Sequence, residues 1–185
     1  MSSPASYPAL HATTVIAVRH QGHTALGADG QATLGTTIAK NHVKKVRTFL
    51  EGKVVTGFAG ATADAFALLD RFEGKLTDYA ANLRRAAIEL TKEWRMDRYL
   101  RKLEAMLVVA SQEHLLILSG TGDVLEPDEG VAAIGSGAMY AQSAAMALKA
   151  HAPHLSAEQI VRESLRIAAQ ICIYTNDQIT IAQPL

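Results

Sequence analysis

Two threonines, Thr13 and Thr14, open directly into the strand-forming run Val15, Ile16 and Val18. A threonine hydroxyl is a poor nucleophile until a base removes its proton. Cleavage of the Ala12–Thr13 bond would create such a base on the same residue, a free α-amine with a reference pKa of about 7.7–8.0. That is the threonine/N-terminal-amine form of nucleophilic catalysis. A nearby lysine ammonium would hold the amine unprotonated by like-charge repulsion, and a carboxylate would keep the lysine charged and oriented. Both types are present, Asp29 in Gly27-Ala28-Asp29-Gly30 and Lys45 in Val43-Lys44-Lys45-Val46. Taken alone, Asp29-Gly30 reads as a turn and Lys44-Lys45 as a surface pair, and spacing does not bring either to Thr13.

The elements that must position these residues follow from periodicity. Thr14 to Arg19 and Thr24 to Ala28 read as a hairpin around Gln21-Gly22. Lys53 to Ala59 is a further strand. A helix follows from about Thr62 to Leu76, with the apolar stripe Phe66, Leu69, Phe72 and Leu76. A second helix carries Leu83, Ala87, Leu90 and Trp94. Met106 to Ala110, Leu115 to Leu118 and Val131 to Ile134 are strands, the last running into Gly135-Ser136-Gly137. Helices at about Met139 to Lys149 and Ala157 to Ile171 come next, then a short strand near Gln178 to Ala182. Ser156 and Gln159 form a capping box for the later helix, with Leu155 stapled onto Ile160. Strands and helices in blocks, joined through hairpins, predict stacked layers rather than a doubly wound parallel sheet.

Composition limits the function classes. The chain has 185 residues, 49% of them hydrophobic, and 18 basic residues balance 18 acidic ones. Zero formal charge disfavours a globally basic binder of nucleic acid or membrane surfaces. The run from Arg95 to Lys102 contains Asp97 and reads as a solvated helix face. No stretch approaches the roughly 18–20 apolar residues of a membrane helix, and residues 1–12 lack the pattern of a secretory signal. A single cysteine, Cys172, excludes an internal disulfide and suits a reducing, cytoplasmic compartment. Its apolar neighbours mark it as a packing residue. No P-loop is present, and Gly135-Ser136-Gly137 lacks the third glycine of a dinucleotide fingerprint.

Several segments together resemble the HslV (ClpQ) peptidase family. They are Thr13-Thr14-Val15-Ile16, Gly27 through Gly35, Val43-Lys44-Lys45-Val46-Arg47, Gly57 through Phe66, Trp94 through Arg98, Leu100 through Ala105, Ile134 through Gly137, and Ile171-Cys172-Ile173-Tyr174-Thr175-Asn176. They run in the family's order from Thr13 to about Asn176.

The resemblance implies an α+β fold, a four-layer α-β-β-α N-terminal-nucleophile hydrolase sandwich of two antiparallel sheets between helical layers, like a proteasome β-subunit. It implies a leader, residues 1–12, removed autocatalytically, and a single catalytic domain from 13 to 185. By residue-by-residue carry-over Thr13 is the nucleophile, Asp29 and Lys45 its electrostatic support, and Ser136 part of the hydrogen-bond network around the amine. Gly60 is the expected backbone donor to the oxyanion. The family's sodium ion would rest on the main-chain carbonyls of Ala169, Cys172 and Thr175, at the unsatisfied C-terminal end of a helix. Ala169 stands where glycine is common, a swap a backbone ligand tolerates if φ is negative. Implied partners are further copies in two stacked hexameric rings, a ring-shaped HslU-type ATPase, and unfolded polypeptide as substrate. Two other readings stay open at this stage. One is a non-catalytic ring subunit; the other is an N-terminal-nucleophile amidase acting on a small molecule.

Overall fold

The computed structural model describes Leu10–His11 and residues 13–103 and 105–185. The expected leader, apart from Leu10–His11, lies outside the described residues. In chain order the first strands are β1 (Leu10–His11), β2 (Thr14–His20), β3 (His23–Ala28), β4 (Ala32–Leu34), β5 (Thr37–Lys40), β6 (Val46–Phe49) and β7 (Val54–Gly60). Helices α1 (Thr62–Asp78) and α2 (Leu83–Met96) follow, then β8 (Ala105–Ala110), β9 (Leu115–Ser119), β10 (Val124–Leu125) and β11 (Val131–Gly135). Helices α3 (Ala138–His151) and α4 (Ala157–Ile171) and strand β12 (Thr180–Ala182) complete the chain.

Two antiparallel sheets carry the structure. One has the order β11-β2-β3-β12 and the other β10-β9-β8-β7-β6, while β1, β4 and β5 form a small separate sheet. Alternation along β2 explains the layering. Val15 and Ala17 pack with Val55, Ala59 and Val108 of the second sheet. Ile16 and Val18, on the opposite face, pack with Ala141 and Ala145 of α3 and Ile160, Val161 and Leu165 of α4. The outer face of the second sheet, through Phe58, Leu107 and Val109, meets Leu69 and Phe72 of α1 and Leu90 and Trp94 of α2. The predicted α-β-β-α sandwich is therefore the observed one. Both faces of β2 are buried, so its sequence is a near-continuous apolar run despite antiparallel pairing. The sheets approach closely at Gly57, where a Cβ would fall 2.5 Å from Val15 Cγ1.

Most predicted elements stand within one or two residues of their expected bounds. Gln21 and Gly22 have φ of 50° and 79°, the left-handed pair a tight hairpin turn requires. The capping box on α4 is present in both directions, with Ser156 Oγ accepting from the Gln159 amide at 3.2 Å and Gln159 Oε1 from the Ser156 amide at 2.8 Å. Leu155 packs against the cluster that holds Ile160. The basic run departs from expectation in part. Helix α2 stops at Met96 because Asp97 Oδ1 accepts from the amides of Tyr99 (2.7 Å) and Leu100 (3.0 Å), a competing local turn. Arg95, Arg98, Arg101 and Lys102 are exposed, so the run is solvated as expected, but it is not one helix and it buries Leu100. Among the described residues no helix is long and apolar enough to cross a membrane.

Candidate active site

Thr13 sits at the entrance of β2, buried at 3% exposure. Its position is set from the β11–α3 turn, where the Ser136 amide donates to the Thr13 carbonyl at 2.8 Å. Gly135 makes that approach possible. Its φ is +96°, and a Cβ there would fall 1.9 Å from the Thr13 carbonyl oxygen. The same virtual Cβ would lie 3.3 Å from Ala59 Cβ, so the end of β7 also borders Thr13. Gly60, the next residue, closes β7 with φ +117°, one residue before the cap of α1. The expected oxyanion donor is therefore the residue that follows Ala59 at the end of β7. Ser136 is exposed, and its contact with Thr13 runs through its backbone amide.

Asp29 lies one residue beyond the end of β3 and continues the hairpin with its side chain. Its amide donates to the Thr14 carbonyl at 3.1 Å, and its Oδ1 accepts from the Thr14 amide at 2.8 Å. The same Oδ1 accepts from Lys45 Nζ, also at 2.8 Å. Thr14 N and Lys45 Nζ therefore cannot be farther apart than those two bonds laid end to end. Oδ2 accepts from the amides of Gln31 (2.9 Å) and Asn176 (3.3 Å). Four donors thus converge on the Asp29 carboxylate and fix its orientation.

Lys45 is 2% exposed, whereas Lys44 beside it is exposed. Burial lowers the Lys45 pKa from its ordinary 10.5, and the charge and hydrogen bond of Asp29 act in the raising direction. Lys45 Nζ also donates to the Gln31 carbonyl at 2.6 Å. The sequence reading of Lys44-Lys45 as a surface pair holds for Lys44 only.

The side chains of Thr14, Gln31, Thr175 and Asn176 also belong to the site; Thr175 was expected there only through its carbonyl, and the other three had no expected role. Thr14 Oγ1 and Thr175 Oγ1 are 2.6 Å apart, and the Gly137 amide donates to Thr14 Oγ1 at 3.0 Å. Gln31 Nε2 donates to the Ile173 carbonyl at 2.8 Å, and Asn176 reaches both Asp29 and Gly30. The partners are up to 161 positions apart, beyond the reach of any local pattern.

The expected cation ligands lie where α4 ends. Its last ladder bond is from the Cys172 amide to the Ala168 carbonyl at 2.8 Å, so the Ala169 carbonyl falls past the ladder. The Cys172 carbonyl accepts from the Thr175 amide at 3.0 Å. Ala169 is not among the residues with positive φ, so alanine is unstrained there. Uncharged oxygens at the negative end of a helix suit a hard monovalent cation. Cys172 is buried, as its apolar neighbours predicted. Among the described residues no group of three or more His, Cys, Asp or Glu side chains could hold a metal ion.

Two stacked antiparallel sheets between helical pairs, with a threonine at the first residue of the central hairpin and a buried lysine–carboxylate pair at its foot, define the proteasome class of N-terminal-nucleophile hydrolases. The family model described as "Proteasome subunit" matches residues 9–183. The chain is 66% identical to the ATP-dependent protease subunit HslV of Cytophaga hutchinsonii over 172 residues, 93% of this chain and 96% of that one. It is 64% identical to the subunit of the same name from Amoebophilus asiaticus, over 93% of this chain and 96% of that one. The crystal structure of eukaryotic HslV from Trypanosoma brucei superposes with a TM-score of 0.87 at 42% identity, covering 92% of this chain and 98% of that one. Within the proteasome class, the chain belongs to the HslV family of threonine-type, ATP-dependent protease subunits.

Proposed function

We propose that Thr13, freed by cleavage of the Ala12–Thr13 bond, is the nucleophile with which this subunit cuts peptide bonds. The single observation that carries this reading is the shared oxygen of Asp29, which binds the Thr14 amide and the buried Lys45 ammonium together. An ammonium fixed beside the first residue of β2 keeps the neighbouring α-amine neutral, and the neutral amine takes the proton of Thr13 Oγ. Oγ attacks the scissile carbonyl, and the Gly60 amide receives the developing oxyanion. The amine then hands its proton to the leaving nitrogen. The resulting ester on Thr13 is hydrolysed by water activated by the same amine. Ser136, through its backbone, holds the Thr13 carbonyl in place.

Strand β1 supports an extended polypeptide as substrate. Leu10 and His11 pair antiparallel with Leu34 and Thr33 of β4 and lead directly toward the Ala12–Thr13 bond. The acyl side of another polypeptide would add to the same strand edge, recognised by its backbone. A cavity of about 590 Å³ lined by Ala32, Val43 and Phe66 together with Lys40 and Lys44 would then receive one of its side chains.

The remaining expectations complete this reading. The subunit assembles with further copies into two stacked hexameric rings and receives unfolded chains from an HslU-type ATPase in the cytoplasm. A sodium ion on the carbonyls of Ala169, Cys172 and Thr175 would stiffen the segment that carries Thr175 and Asn176. Intact mass tests the central claim. Purified wild-type chain loses residues 1–12 and, with its partner ATPase and ATP, degrades an unfolded protein, while Thr13→Ala does neither. A wild-type chain that keeps its leader and stays inert with the ATPase present overturns it.

A further inference from the structure

The segment Ile173-Tyr174-Thr175-Asn176 follows α4 and lies far in sequence from both Asp29 and Lys45. Asn176 nevertheless touches the loops that carry each of them. Its Oδ1 accepts from the Gly30 amide at 2.9 Å, next to Asp29, and from the Gln178 amide at 3.2 Å. Its Nδ2 donates to the Asn41 carbonyl at 3.0 Å, four residues before Lys45. The two loops also meet directly. The Val43 amide donates to the Gly30 carbonyl at 2.8 Å, and a Cβ at Gly30 would fall 2.4 Å from the Asn41 carbonyl oxygen. There is no slack at this junction. One amide side chain thus bridges the Asp29 loop and the Lys45 loop, while its own backbone amide caps Asp29 Oδ2 at 3.3 Å.

We propose that Asn176 is a positioning residue for peptide-bond cleavage, setting the separation of the Asp29 and Lys45 loops by bridging the Gly30 amide and the Asn41 carbonyl. Asn176 acts through these two residues and does not meet the substrate. An amide is the side chain this place requires, because it must offer an acceptor to Gly30 and a donor to Asn41 at once. Alanine offers neither. Aspartate keeps the acceptor and sets a carboxylate oxygen against the Asn41 carbonyl. The assignment rests on the peptidase reading above.

The test uses the full-length chain in its assembled form with a fluorogenic peptide amide. Active Thr13 residues are counted with a peptide vinyl sulfone read by intact mass. In Asn176→Ala, kcat per titrated Thr13 falls by roughly 10- to 100-fold while KM stays within about twofold, the pattern of misplaced catalytic support. Asn176→Asp, with one arm of the bridge intact, falls less than Asn176→Ala but by at least about threefold. If Asn176→Ala does not fold, the Asn176→Asp value decides. Wild-type kcat per titrated site in either variant, or a change confined to KM or to the number of titratable sites, overturns the assignment while the peptidase reading stands. An inert wild-type chain overturns both.

Discussion

Lys45 Nζ lies 2.8 Å from Asp29 Oδ1, and neither side chain reaches solvent. Two burdens meet in that contact. Burial lowers the lysine pKa, and Asp29 opposes the shift through charge and hydrogen bond. Because the same oxygen holds the Thr14 amide, the position of the charge and the position of the chain beside Thr13 are one geometric fact. Such pairs add little net stability over an apolar replacement, but removing one member leaves an uncompensated buried charge. On the proposed mechanism, the pair serves catalysis rather than stability.

The pH dependence of peptidase activity follows from the sign of that shift. On the proposed mechanism Lys45 must be charged to keep the Thr13 amine neutral, and burial lowers its pKa below the ordinary 10.5. Activity falls on the alkaline side at a pH below 10.5. Asp29→Asn removes the influences that raise the value, so the falling limb moves to lower pH. Stability follows from the same shift but runs the other way. Between the folded value and 10.5 the unfolded chain binds more protons, so Lys45 adds stability as pH rises through that window. Rate profiles of the two proteins check this, and an alkaline limb unmoved by Asp29→Asn would separate Lys45 from it.

Lys45→Met removes the charge while filling the buried space. Asp29 keeps its three backbone donors from Thr14, Gln31 and Asn176. Because Asp29 then stays buried without its ammonium, thermal unfolding falls below that of the wild type, and activity is read per folded, assembled chain. Its leader removal and peptide hydrolysis fall by more than about 100-fold, the scale of a lost electrostatic group in catalysis. Intact mass and a peptide amide assay read both.

Gly135→Ala acts on Thr13 from the other side. The new Cβ meets the Thr13 carbonyl oxygen at 1.9 Å and its carbon at 2.8 Å, and the backbone stands at φ +96°. Positive φ adds about 1–2 kcal/mol of strain for an L-residue, and the clash adds more by moving the turn. Urea unfolding shows a loss of at least about 2 kcal/mol, with activity per folded chain also lost.

Thr175 offers two separable functions. Thr175→Val removes the buried hydroxyl pair with Thr14 at 2.6 Å and is destabilising by about 1–3 kcal/mol. It leaves the carbonyl of residue 175 in place. Replacing sodium in the buffer with a bulky organic cation lowers the unfolding temperature of both the wild type and Thr175→Val, because a bound ion stabilises the folded state by mass action. Equal unfolding temperatures in the two buffers for the wild type would remove the cation from the α4 terminus.

Ser156→Ala serves as the control far from the chemistry. It removes the cap of α4 and lowers stability by about 1 kcal/mol, with kcat and KM unchanged. A joint fall in kcat would mean that α4 transmits its terminal stability to the site.

Periodicity and capping chemistry are local, and local signals located the long elements. The β2–β3 hairpin, α1, α2, α3 and the capping box of α4 were all legible because each repeats its pattern over several turns or residue pairs. Strands β4, β5 and β6 were not. They have three or four residues each, and β5 is exposed throughout, so no alternation accumulates. The candidate site divides in the same way. Thr13 at the head of a strand was a candidate nucleophile and Asp29 and Lys45 candidate support by residue type, and resemblance joined the three. Burial is what distinguishes Lys45 from Lys44, and burial belongs to the folded chain. Thr14, Gln31, Thr175 and Asn176 are ordinary polar residues until antiparallel pairing and the end of α4 bring them to one carboxylate and one hydroxyl. Residue type specifies what a side chain can do, while only long-range packing decides which partners it meets and whether water competes for them.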